Sequence, residues 1–364
     1  MNLKNSQPTL VVNKNRCLKN IYKMSEKAKN HNLLFRPHFK THQSAEIGKW
    51  YKQFGISAIT VSSLEMADFF ANAGFDNITV AIPFNPNLSE KAETLSTQIK
   101  LTLLIENLYT AQTIVSSKEL TCDFVIEIDT GYNRTGIEFD NHELIDNILQ
   151  IIEPNRNIRF AGFLTHAGHT YETSNQEQIR DIHIDCLNKL STLKQKYITM
   201  YPELILSIGD TPSCSIMNSF NNIDEIRPGN FVFYDLMQVK LGSCQIDDIA
   251  ICLSATIIAK YENRDEIVIH CGAVHLSKEY LISDGEFGIP SGKKYFGILV
   301  KLNDNGTWNT IIEDCYISKI SQEHGTICVS NNKLDLFQIG DIIGILPIHS
   351  CLTNNLMQNF TIIC

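Results

Sequence analysis

Between residue 33 and about residue 235 the chain repeats one rhythm, and that rhythm constrains its fold more than anything else in it. Short β-rich runs fall at 33–39, 57–61, 78–82, 101–105, 124–128, 160–164 and 204–208, with a weaker one at 223–226. Amphipathic stretches such as 64–73 and 176–196 lie between most of them. Apolar runs that alternate with helices form a parallel sheet covered on its outer face. Eight such units over roughly 200 residues fit a (β/α)₈ barrel. Lys40, Ser62, Glu106, Asp129, His166 and Asp210 each fall at or just past the carboxyl end of a run. In a barrel that end is the active-site rim.

After Tyr234 the texture changes. Runs at 249–259, 266–269, 295–300, 310–318, 326–329 and 341–346 are joined by Asn/Asp/Gly turns with hardly a helix between them. A second, all-β domain is expected over 241–364, with the barrel over 21–240. The early run 9–12 is not needed by the barrel, so segment 1–20 is expected to pair with the β domain. Net charge is −9, from 31 basic and 40 acidic residues. Nucleic-acid binding would show as clustered Lys/Arg, and no run approaches the ~18 apolar residues of a membrane span. Eleven scattered cysteines without an export signal read as reduced thiols of a cytoplasmic protein.

Arg36-Pro-His-Phe-Lys-Thr-His42 crowds one lysine among two imidazoles and a guanidinium. Like charges disfavour the charged form, and a neutral amine is what Schiff-base chemistry requires. The same loop reads as a basic phosphate-binding turn or a solvated one, and its residues alone leave these open. Gly209-Asp-Thr-Pro-Ser213 reads as an ordinary turn or as an anion cradle at a helix start. Arg134 reads as a partner of Asp129 or as a group facing the site. His349-Ser-Cys351 follows a strand. In extended backbone positions i and i+2 share a side, and imidazole with thiolate suits Zn²⁺.

Six segments in order resemble one family over nearly the whole chain. They are 36–42, Asp-Thr-Gly-Tyr-Asn-Arg-Thr-Gly at 129–136, Gly-Asp-Thr-Pro-Ser at 209–213, the stretch 225–235, Glu-His-Gly at 323–325 and Pro-Ile-His-Ser-Cys at 347–351. The family is that of the D-threonine aldolases and D-serine dehydratases, fold-type III pyridoxal-phosphate enzymes related to the alanine racemases. The resemblance implies that Lys40 carries pyridoxal 5'-phosphate and that Gly209, Thr211, Gly229, Asn230 and Tyr234 form its phosphate cup. It places Arg227 toward the pyridine nitrogen and Arg134 near the phenolic oxygen. The barrel segment Thr165-His-Ala-Gly-His-Thr-Tyr171 is expected to supply His166, His169 and Tyr171 to the mouth, the two histidines as acid/base groups and Tyr171 as a cofactor contact. His349 and Cys351 hold a divalent metal, expected to be Zn²⁺; His-x-Cys there is the dehydratase form of the motif. The implied activity is a lyase on a D-β-hydroxy amino acid, by elimination or retro-aldol cleavage, in a homodimer. A racemase is the runner-up, and a non-catalytic cofactor-binding protein the third reading. Segment 269–277 departs from the family: His270, Cys271 and His275 stand where better-known members carry an Asp-Ala-Gly-like version. Cys271 reads as packing, and His275 stays open between packing and a contact to substrate or metal.

Overall fold

The computed structural model describes residues 7–330, 332–357 and 360–364. It divides into two compact units, residues 21–229 and residues 1–20 with 230–364.

Among its described residues the first unit is a barrel sheet of eight parallel strands. Around the sheet these are Leu34–Phe35, Glu225–Ile226, Ile205–Ile208, Ile158–Thr165, Cys122–Asp129, Lys100–Ile105, Asn77–Pro83 and Ala58–Val61. An isolated parallel bridge, His38 to Thr60, brings the last back to the first. Each of the eight runs read from sequence is a strand, but the first and last are much shorter. Pro37 and Pro228 have no N–H to give a ladder, so regular pairing stops before each. Helices Leu64–Asn72 and Gln176–Tyr197 start where Ser63 and Asn175 accept the Met66 and Gln178 N–H groups. The interior is filled by Leu104, Val125, Ala161 and Leu164. Gly162, at φ +141°, is required there, since a Cβ would stand 2.0 Å from the Ile205 carbonyl oxygen.

The second unit is built on an antiparallel ring. Glu266–His270, His324–Val329, Trp308–Ile320, Gly297–Leu302, Ile342–Pro347 and Ile251–Tyr261 pair in that order, and the last pairs back with the first. Thr9–Asn13 extends it, antiparallel to Ile251–Tyr261 and parallel to Phe360–Ile363. This unit begins at Asn230 rather than 241. The Asn230 amide donates to Asp235 and to Ser350 (2.6 and 3.0 Å), and the Ser350 N–H donates to Asp235. Those bonds bind the 230–235 stretch to the C-terminal segment. It also contains helices that the strand pattern did not announce, Ala273–Leu276 and Ser350–Met357. Among the described residues no helix is long and apolar enough to cross a membrane.

Candidate active site

At the carboxyl ends of the barrel strands lies a small cleft lined by His38, Lys40, Ala81, Glu127, Arg134, Leu164, His166, Gly209 and Arg227. Lys40, Arg134, His166, Gly209 and Arg227 were all expected there. His38, Glu127, Ala81 and Leu164 were not. Glu127 had a signal: it is the one acidic residue inside the apolar run 124–128, two places from Asp129 and therefore on the same side of the strand.

Arg227 is held from two sides. Its guanidinium donates to the Ser207 hydroxyl and to the Thr165 carbonyl (2.9 Å). Ser207 donates in turn to Glu225 (2.5 Å), and Glu225 pairs with buried Arg36 at 2.6 Å. Gly209 packs on this arginine; a Cβ there would lie 3.0 Å from the Arg227 Cβ. Desolvation pulls the guanidinium down to about 10, against the attraction of Glu225 and Glu127. Burial raises the Glu127 carboxyl above its usual range, with Arg134 and Arg227 opposing.

The imidazoles of the cleft are neutral, contrary to the crowd of cations read from sequence. Desolvation, with the charge of Lys40 next, takes His166 down to about 3. His166 Nδ1 faces the Gly209 carbonyl. A carbonyl only accepts, so Nδ1 carries the proton and Nε2 is left as an acceptor. His38 is held well below its ordinary value by desolvation and then by Lys40 and Arg227. His42 is not at the cleft: it packs on Phe39 (4.4 Å between centroids), Tyr51 and Phe70. The cations lining the cleft are Lys40, Arg134 and Arg227.

Arg134 lies over the Tyr132 ring, 5.1 Å from its centroid. Asp129 instead accepts the N–H groups of Gly131, Tyr132 and Asn133, which shapes the turn. His169 stacks against Tyr132 (6.1 Å, 22°) and does not line the cleft. Tyr171 reaches Thr211, whose N–H donates to its hydroxyl (3.2 Å). Asp210 caps the 211–216 helix by accepting the Ser213 N–H. Beside this cap the Thr211 hydroxyl is fully buried and has no hydrogen-bond partner, while the Ser213 hydroxyl lies against Asp210. An orphaned donor at a helix start fits an anion such as a cofactor phosphate. Gly229 is needed for the close packing of its backbone on the 38–41 loop, since a Cβ would meet the His38 carbonyl oxygen at 2.8 Å. The Asn230 and Tyr234 expectation finds both in the other unit, with the Asn230 side chain directed at Asp235 and Ser350.

In the β unit, His349 and Cys351 come together, though not by extended backbone. The Ile342–Pro347 strand ends, and Ser350 begins a helix. Cys351 therefore sits in a first helical turn. Desolvation opposes charge on His349, but hydrogen bonds that the imidazole donates to Cys351 and Glu279 outweigh it and raise the ring to about 11. Glu279 lies 2.9 Å from His349 Nδ1, and the Asn230 amide reaches the Cys351 sulfur at 3.6 Å. An imidazole oriented by a carboxylate, beside a thiol, is a donor set that fits a divalent ion.

The alanine racemase N-terminal domain matches residues 12–236, and the serine dehydratase domain (D-ser_dehydrat) matches residues 250–363. D-serine dehydratase of Dictyostelium discoideum is 30% identical over 94% of this chain and 90% of its own length. The structure of D-threo-3-hydroxyaspartate dehydratase from Delftia sp. HT23 superposes with a TM-score of 0.86 at 25% identity, over 98% of this chain and 93% of that one. D-threonine aldolase of Filomicrobium marinum shares the fold, with a TM-score of 0.80 at 18% identity over 97% and 89%. The chain belongs to the D-serine dehydratase family, with an alanine racemase N-terminal domain followed by a serine dehydratase domain.

Proposed function

We propose that this chain is a pyridoxal-phosphate-dependent lyase that removes water from a D-β-hydroxy amino acid. Lys40 bears the cofactor, and His349 and Cys351 hold a divalent ion, Zn²⁺ by the chemistry of the pair. The observation that carries this reading is the barrel cleft itself. It puts Lys40 beside two guanidiniums and a neutral imidazole, in a barrel whose 211–216 helix starts with the buried, unpartnered Thr211 hydroxyl. When bound, the cofactor draws electrons from the substrate's α carbon, and the ion polarises its β-hydroxyl.

The chain's own residues do the rest. Lys40 Nζ takes the α proton as general base. The Thr211 hydroxyl would bind the phosphate, and Tyr171 fixes the Thr211 main chain. Arg227, immobilised by Ser207 and Thr165, presents its charge to the ring without reorganising. His166 offers Nε2 as an acceptor and adds no charge of its own. Glu279 holds the His349 ring for ligation. Two dehydratase relatives at 25–30% identity favour elimination over retro-aldol cleavage, where the aldolase neighbour is at 18%. A racemase has no use for the His349 and Cys351 pair.

The test is the full chain with cofactor and Zn²⁺, given a panel of D- and L-β-hydroxy amino acids with and without chelator. A keto acid from a D substrate, lost in chelator, is the expected product. Epimerisation at full rate in chelator overturns the reading. The family resemblance supports a homodimer, and full specific activity at the monomer mass in light scattering would contradict it. That none of the eleven cysteines forms a disulfide supports a cytoplasmic site of action.

A further inference from the structure

His270, His275 and Glu323 form a cluster in the β unit that the proposed chemistry does not use. His270 ends the Glu266–His270 strand, paired opposite His324. The chain then turns through Cys271 and Gly272 into the short helix Ala273–Leu276, which carries His275. A main-chain clip fixes that helix to the 321–323 turn: Ala273 N–H donates to Ser321 (2.8 Å) and Val274 N–H to Gln322 (3.2 Å). Glycine is required at 272, since a Cβ would stand 2.1 Å from the Gln322 carbonyl oxygen. The clip brings Glu323 beside both histidines.

One ligand atom from each of the three lies within 4.8 Å of the other two. They are close without being bonded to one another. His270 Nε2 is 3.8 Å from Glu323 Oε2, too far for a hydrogen bond. The two imidazole planes stand at 87°, so they do not stack. Cys271, between the histidines in sequence, is fully buried and is not part of the cluster, which leaves two nitrogens and one carboxylate.

We propose that His270, His275 and Glu323 bind a second divalent transition-metal ion, Zn²⁺ by preference, independent of His349 and Cys351. Two imidazoles and a carboxylate suit that ion and leave a position for water. Bonds of about 2.0–2.2 Å draw the ligand atoms closer than they now lie, which half-exposed side chains on a turn accommodate by rotation. His275 Nδ1 accepts the Gly272 N–H at 3.1 Å, so in the neutral ring Nε2 carries the proton. Ligation through either nitrogen takes that acceptor from Gly272. Loading therefore leaves a mark on the main chain. The same segment leads on to Glu279, which touches His349, so the second ion would steady the approach to the first site.

The experiment uses the full chain with His349→Ala and Cys351→Ala together, stripped with chelator and titrated with Co²⁺ and then Zn²⁺. One equivalent per chain is expected to remain, with visible Co²⁺ bands and no near-ultraviolet thiolate band. Hydrogen exchange in the peptide spanning Gly272 should speed up on loading. Adding Glu323→Gln, a half-exposed change that leaves the clip intact, should weaken binding at least tenfold, as should His275→Ala. No Co²⁺ binding in the double variant overturns the proposal, and so does affinity that both added substitutions leave unchanged. Neither result depends on Lys40 or on the reaction catalysed.

Discussion

His166 in the barrel and His349 in the β unit are both half-buried, yet their imidazoles move in opposite directions. Desolvation and the charge of Lys40 take His166 to about 3. Desolvation also opposes charge on His349, but Cys351 and Glu279 overcome it and take that ring to about 11. Burial acts alike on both, so the neighbours decide the sign. The barrel cleft is a place for an anion, lined by Lys40, Arg134 and Arg227. The β-unit centre is a place for a cation, with a thiol and a carboxylate turned on one imidazole. This chain therefore carries two opposite electrostatic environments, one in each unit.

The largest expected effect is at the cationic pole. Lys40→Ala should lower turnover by roughly 10³-fold or more, the upper range for a lost acid/base group. It should also abolish borohydride labelling by the cofactor. A variant with a tenth of wild-type activity would remove Lys40 from the chemistry and leave the cleft only a binding pocket.

Next comes the support beneath that pole. Glu225→Ala leaves Arg36 charged, buried and unpaired, which should destabilise the fold by about 3–5 kcal/mol in urea unfolding. Because Ser207 links Glu225 to Arg227, cofactor affinity should fall as well. A loss under about 1 kcal/mol would mean that water reaches Arg36 and solvates it.

At the opposite pole, Glu279→Gln keeps the shape and removes the charge that orients His349. Metal affinity should drop by about 10–100-fold, the usual range for a partner of a metal-bound histidine. Labelling of Lys40 should not change. If the cofactor were lost together with the metal, the two environments would not be separable and the comparison would fail.

The same contrast governs what could be read from sequence. All eight barrel strands were legible because parallel strands are near-continuous apolar runs, and of the six polar residues read at their ends Lys40 and His166 line the cleft. The charge states inside were not legible. Sequence places His38 and His42 beside Lys40 in the same way, but folding sends one to the cleft and the other into the Phe39, Tyr51 and Phe70 cluster. In the β unit, His349 and Cys351 were found for a reason the backbone does not support. A spacing of two meant a shared strand face, whereas Ser350 starts a helix. The 273–276 helix was missed because four residues are too few to show a period.

His42 offers the smallest effect at neutral pH and a test of what burial does to an imidazole away from the cleft. Desolvation takes its imidazole to about 3, and the Ser44 N–H, donated to Nδ1 at 3.1 Å, also favours the neutral ring because it needs that nitrogen as an acceptor. In the unfolded chain an ordinary histidine titrates near 6.5. Between those values the unfolded state holds a proton that the folded state refuses. Stability from neutral His42 is therefore fully present above about pH 6.5 and is lost as pH falls toward about 3, by about 1.4 kcal/mol per pH unit. His42→Phe keeps the aromatic packing and deletes the titration. At pH 7 it should cost about 1 kcal/mol for the Ser44 N–H left without an acceptor. Below pH 6 the acid limb of the variant should be shallower than that of the wild type by one proton, read from urea midpoints at pH 6 and 4.5. Parallel limbs would show that His42 takes up its proton in the folded protein, and that burial alone does not silence an imidazole in this barrel.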